Sequence, residues 1–135
     1  MAVAGDLPAP LALVVEDRPS IRQLLEVALT QEGLRVIATA TADEALAVAI
    51  TELPDIALLD LLLPGRRGDT LIAALRALPN GALLPIIVLS GIEGVGATSR
   101  AAGAQGFLAK PFDLRELIAL VRTHLRRAAA PSTTA

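Results

Sequence analysis

Five times along the chain a short strand-like segment, in most cases an apolar run, gives way to a longer stretch of helical rhythm, and this alternation predicts an α/β domain on a parallel sheet. Two further observations support that reading. The apolar runs show no inward–outward alternation, as strands covered on both faces require. A length of 135 residues, with 53% hydrophobic and 19% charged side chains, suits one domain that buries a sizeable core. The predicted domain spans residues 11–127, with 1–10 a disordered leader and 128–135 (AAAPSTTA) a flexible tail or the start of a linker.

The first strand is Leu11–Val15 (LALVV), stopped by Glu16 and Asp17. Ile21, Leu24, Leu25 and Ala28 then recur at helical spacing, with Pro19 suited to a first turn and Gly33 to a stop. Residues 35–40 make the second strand. Thr41 and Glu44 form a capping box ahead of Leu46, Ala49, Ile50 and Leu53, and Pro54 closes that helix. The third strand, 56–59, runs into Asp60. After the loop 61–68, Leu71, Ile72, Leu75 and Leu78 mark a third helix, and the fourth strand, 86–89, ends at Ser90 and Gly91. Residues 92–102 have helical rhythm, but Gly94 and Gly96 each cost about 1 kcal/mol relative to alanine, so a short or mobile helix is expected. Gly106–Ala109 is the fifth strand, followed by Lys110 and Pro111. Asp113 and Glu116 form a second capping box for a final helix whose apolar face carries Leu114, Leu117, Ile118, Val121 and Leu125. Leu120 and His124 fall off that face, and both are expected in solvent.

Composition excludes several functions. A net charge of -2 rules out a generic basic nucleic-acid binder. The absence of Cys removes disulfides, thiol nucleophiles and thiolate metal sites, and a single His removes His-cluster metal sites. With no Trp or Tyr, a base-stacking surface is not expected. The apolar runs are too short to span a membrane, and the first ten residues lack the basic start of a signal peptide. All 12 Lys and Arg residues are Arg except Lys110, and the 2 aromatic residues, Phe107 and Phe112, flank it.

In an open parallel sheet, ligands bind outside the carboxyl ends of the strands. There the chain places Glu16 and Asp17, then Asp60, Ser90 and Lys110, while the second strand ends blandly at Ala40 and Thr41. Carboxylates held about 4 Å apart repel by about 4 kcal/mol at an effective dielectric of 20. Either one is protonated or a cation sits among them. Oxygen-only donors favour a hard cation, Mg²⁺ being the natural choice. Together with a lysine, a serine and a nucleophilic carboxylate, such a site meets the needs of phosphoryl transfer.

The stretches VVEDRPSIRQLL (14–25), PDIALLDLLLPGRRG (54–68), PIIVLSG (85–91) and AGAQGFLAKPFDLREL (102–117), in this order and spacing, resemble the receiver domains of two-component response regulators, including the single-domain chemotaxis type. The resemblance implies a doubly wound, flavodoxin-like (βα)5 fold with strand order 2-1-3-4-5. It makes Asp60 the phosphoacceptor and assigns Mg²⁺ to Glu16 (largely through water), Asp17, Asp60 and the backbone carbonyl of Leu62. Ser90 and Lys110 would contact the phosphoryl group, Phe107 would be the switch aromatic or simply core, and the Lys110–Pro111 bond would be cis. A sensor histidine kinase or phosphotransfer protein would supply the phosphoryl group to a cytoplasmic protein that in turn engages a downstream protein target, with no direct nucleic-acid contact and no membrane insertion.

Departures from the family pattern carry their own expectations. Glu16 stands where aspartate is common. Arg66 and Arg67, with Arg18, read as solvated loop charge. Leu62 and Ile92, each two residues past a site residue, are apolar and cannot orient an attacking water, so slow self-dephosphorylation is expected. Two other functions fit less well. A Mg²⁺ phosphohydrolase usually carries a second acid where Leu62 stands, and a dinucleotide loop at Gly94–Gly96 lacks its third glycine, Ser99 occupying the position. A receiver-like binding module that is never phosphorylated is the remaining alternative.

Overall fold

The described residues form, in chain order, β1 (Leu11–Val15), α1 (Pro19–Gln31), β2 (Arg35–Thr39), α2 (Ala42–Glu52), β3 (Ile56–Asp60), α3 (Gly68–Arg76), β4 (Ile86–Ser90), β5 (Gly106–Ala109) and α4 (Leu114–Ala129). The structure, a computed structural model, describes residues 9–61, 63, 68–91 and 103–129. Residues 1–8 of the expected leader, the loop positions Leu62, Arg66 and Arg67, the helix expected over 92–102 with Ile92, and residues 130–135 of the tail lie outside the described residues. All four strand pairings are parallel and the order is β2-β1-β3-β4-β5, the predicted architecture.

Neighbouring residues of each strand turn to opposite faces. Leu13, Val15, Ala57, Leu59, Ile86 and Val88 pack with Ala45, Ala49, Leu71, Ile72 and Leu75 of α2 and α3. Ala12, Val14, Ile56, Leu58, Ile87 and Leu89 pack with Leu25, Leu29, Leu117 and Val121 of α1 and α4. The sheet is thus a buried layer between two helical layers, which explains strands without alternation in their sequence.

Local signals set the helix ends. Pro19 occupies the first turn of α1, and Gly33, at φ 91°, takes the left-handed conformation just past its end. At α2 the Thr41 hydroxyl accepts from the Glu44 N–H at 3.1 Å, while the Glu44 carboxylate accepts from the Ala40 N–H at 3.3 Å, one residue before the position a standard capping box uses. Thr41→Ala is expected to cost about 1 kcal/mol in chemical denaturation. An unchanged midpoint would show that the Glu44 half of the box suffices. The Asp113 carboxylate accepts from the Arg115 N–H at 2.8 Å and opens α4. Helix α3 stops at Arg76, so Leu78 packs on the core from the turn beyond it. The Arg76 guanidinium ties that turn to the start of β5, donating to the carbonyls of Gly81 (2.6 Å) and Gly103 (2.7 Å) and to Gln105 Oε1 (2.6 Å). Its burial pulls the guanidinium pKa down from the ordinary arginine value.

The structure corrects two expectations on α4. His124 is buried, 8% exposed, and Leu120 packs against the α1–α4 core. The reason is Gly106 on β5. A Cβ built there would stand 3.2 Å from His124 Nε2 and 3.4 Å from Leu120 Cδ2, so the missing side chain lets the helix settle closely on the strand. Leu117, Leu120, Val121 and His124 then form one stripe at spacings of three and four, which the imidazole's polarity and the neighbouring arginines concealed.

Candidate functional site

Sheet register assembles the site. Val15 pairs with Leu59, Asp60 with Leu89, and Ser90 with Ala109, so β1, β3, β4 and β5 terminate side by side. Glu16 follows β1, Asp60 and Ser90 are the last residues of β3 and β4, and Lys110 follows β5. Two cross-strand bonds hold that edge: the Glu16 N–H donates to the Thr39 carbonyl at 3.0 Å, and the Lys110 N–H donates to the Ser90 carbonyl at 2.9 Å.

The Lys110 ammonium bridges two carboxylates, donating to Glu16 Oε1 at 2.7 Å and to Asp60 Oδ2 at 2.9 Å. Glu16 is 1% exposed, and its other oxygen accepts from the Arg18 N–H at 3.1 Å. Burial pulls the Lys110 pKa down, but hydrogen bonds and charge from Glu16 and Asp60 outweigh it, so the ammonium sits above the ordinary lysine value. It is cationic wherever its partners are anionic.

One carboxylate oxygen from each of Glu16, Asp17 and Asp60 lies within 4.8 Å of the other two. Among the described residues Lys110 neutralises part of this charge, and at such spacing each like-charged carboxylate pair repels by about 3–4 kcal/mol at an effective dielectric of 20. The donor set is all oxygen and two of its three members are buried. These residues fit a hard divalent cation and no soft one.

Of the other predicted site residues, Ser90 is buried at the end of β4, where it lies beside Asp60 along the sheet edge. Phe107 is half-buried and packs against the α2–α3 core, while Phe112 packs against the opposite one. The Lys110–Pro111 peptide bond is cis. Leu62 and Ile92 fall outside the described residues.

One residue the sequence reading passed over belongs here. The Arg22 guanidinium reaches back from α1, and its Nη1 donates to the Glu16 carbonyl at 2.9 Å and to the Asp17 carbonyl at 3.4 Å. A signal was available: a cation near the start of a helix opposes the helix dipole and calls for a compensating partner.

Comparison with known proteins agrees with this geometry. Residues 12–122 match the family described as the response regulator receiver domain. The chain is 40% identical over 121 residues to the phosphate regulon transcriptional regulatory protein PhoB of Rhizobium meliloti, covering 88% of this chain and 53% of that protein. It is 41% identical over 120 residues to the KDP operon transcriptional regulatory protein KdpE of Escherichia coli, covering 87% of this chain and 52% of that one. The chain therefore spans about half the length of these curated relatives. Among solved structures, the chemotaxis response regulator CheY4 of Vibrio cholerae superposes with a TM-score of 0.81 at 29% identity, covering 86% of this chain and 98% of that one. The receiver domain of the sensor histidine kinase PA1611 of Pseudomonas aeruginosa superposes with a TM-score of 0.80 at 31% identity, covering 87% and 98%, and that structure has a magnesium ion coordinated in its active-site cleft. Strand order, an acidic cluster at the carboxyl edge, a lysine across from it and the extent of the match converge, and the chain belongs to the receiver domain family of two-component response regulators.

Proposed function

We propose that Asp60 is the residue that accepts the phosphoryl group, and that the chain performs this step with a bound Mg²⁺ held by Glu16, Asp17, Asp60 and the backbone carbonyl of Leu62. The observation that carries the reading is Lys110 bridging Glu16 and Asp60 beside a three-carboxylate cluster. An Asp60 carboxylate oxygen attacks phosphorus, its O–P bond forms as the bond to the donor breaks, and the donor leaves with that electron pair. The bound cation would supply charge neutralisation for the transferring oxygens. Lys110, no longer facing a full carboxylate at Asp60, pairs with a phosphoryl oxygen, and the Ser90 hydroxyl donates to another. Phe107, anchored only partly in the core, turns inward behind Ser90. The chain thereby catalyses its own phosphorylation and dephosphorylation and turns over no separate substrate. Apolar side chains at Leu62 and Ile92 leave an attacking water unguided, which supports a long-lived phosphoryl group.

The donor is a sensor histidine kinase or a phosphotransfer protein in the cytoplasm, and the recipient of the signal is a downstream protein. Among the described residues no helix is long and apolar enough to cross a membrane. The test is incubation with Mg²⁺ and a small phosphodonor followed by intact mass. One added phosphoryl group, about 80 Da of charge-bearing phosphate, is expected on the parent and none on Asp60→Asn. No adduct on the parent would favour a binding module that is never phosphorylated. Mg²⁺ at 100 times its dissociation constant should also stabilise the fold by about 2.7 kcal/mol, an effect Asp17→Ala removes.

A further inference from the structure

We propose that Arg22 is a positioning residue for the metal-binding acids, holding the backbone of Glu16 and Asp17 so that the Asp17 carboxylate faces its two partners. The inference rests on the reading of Glu16, Asp17 and Asp60 as the Mg²⁺ ligands. The three acids are fixed in different ways. Both Glu16 oxygens are held, by Lys110 and by the Arg18 N–H, and Asp60 is held by Lys110 and by its place in the β3–β4 ladder. Among the described hydrogen bonds none reaches the Asp17 carboxylate, which is half-buried and lies beyond the last strand residue. Its direction is therefore set by its own main chain.

That main chain lies in the turn between β1 and α1, and the carbonyls of Glu16 and Asp17 both accept from Arg22 Nη1, at 2.9 and 3.4 Å. Arg22 itself is anchored by α1, its N–H donating to the Arg18 carbonyl at 2.9 Å. A guanidinium suits the task because its planar, rigid donors fix two acceptors at once, whereas an ammonium is a mobile point charge. Groups that orient metal ligands without touching the metal typically change affinity 10–100-fold when removed.

The test compares the full chain with Arg22→Gln and Arg22→Lys by titration calorimetry with Mg²⁺ alone, alongside thermal melting in EDTA. Roughly a tenfold or larger rise in the Mg²⁺ dissociation constant is expected for both variants, with the metal-free melting midpoint within about 2 °C of the parent. With a small phosphodonor, the Mg²⁺ concentration giving half-maximal phosphorylation should rise by the same factor while the rate at saturating Mg²⁺ stays at the parent value. Full affinity in Arg22→Gln overturns the clamp. Full affinity in Arg22→Lys with loss in Arg22→Gln also overturns it, since charge alone then accounts for the effect. A metal-free midpoint that falls well below the parent's in both variants assigns Arg22 to fold stability and rejects the positioning role. Absence of Mg²⁺ binding by the parent overturns the metal reading itself, a result distinct from parent-like binding in the variants.

Discussion

Lys110→Met should melt about 10 °C below the parent in metal-free buffer and should accept little or no phosphoryl group. The substitution keeps the apolar stem and removes the charge. It leaves Glu16, 1% exposed, and Asp60 facing each other without the ammonium that bridges them. Removing one partner of a fully buried ion pair costs about 3–5 kcal/mol. Here the ammonium edge reaches solvent, so about 2–3 kcal/mol is expected, and a domain of this size loses about 3–5 °C for each kcal/mol. Two additions should restore most of the loss: Glu16→Gln in the same chain, which removes the stranded charge, and Mg²⁺, which replaces the missing cation. The pH dependence has a definite sign. Because the folded Lys110 pKa lies above the unfolded one, its pairing contributes in full below about pH 10 and is lost as the pH rises through the folded value. The gap between parent and variant should therefore stay constant between about pH 6 and 9 and close as the pH rises into alkali. Parent-like melting of Lys110→Met would mean that solvent already screens the cluster.

Gly81→Ala should damage the fold severely, costing about 4 kcal/mol or more. A Cβ at position 81 would stand 1.7 Å from the Leu75 carbonyl oxygen and 2.8 Å from its carbon, both main-chain atoms at the end of α3. No rotamer change relieves that overlap. Backing the chain away would break the 2.8 Å bond from the Gly81 N–H to the Leu78 carbonyl and pull the Gly81 carbonyl off Arg76. Gly33→Ala supplies the contrast, since nothing lies within 4 Å of its Cβ but φ is 91°. It should cost about 1 kcal/mol, the conformational part alone. Denaturant midpoints for the two alanine variants separate steric from torsional cost, and equal losses would refute the distinction.

The sheet and its chemistry were legible for a common reason. Strands covered on both faces are written as unbroken apolar runs, so the first polar residue after each run marks the carboxyl edge, and Glu16, Asp60, Ser90 and Lys110 could be read at their places. Helices were legible through the fixed φ of Pro19 and the local bonds of Thr41 and Asp113, none of which needs tertiary context. Contacts made across the fold by long side chains were not. Arg22 and Arg76 bond to main-chain carbonyls, and a carbonyl acceptor leaves no mark on residue type. His124 was misplaced because its burial depends on the absence of a side chain at Gly106, a residue 18 positions away in sequence.

A sheet apolar on both faces has a weakness that its polar strand ends repair. When inward and outward positions are equally greasy, hydrophobicity cannot distinguish one strand alignment from the next one over. Sliding β1 one residue along β3 would drag the Glu16 carboxylate into the dry interior and part it from Lys110. At the opposite edge, the same slip would break the Leu11 N–H bond to Asp55 Oδ2, 2.7 Å in the native register. The acids that crowd together for chemistry at one end, and Asp55 at the other, thus act as end-stops against misalignment. A sheet carrying neutral substitutions at Glu16, Asp55 and Asp60 would keep every buried apolar contact yet lose much of what makes its alignment unique.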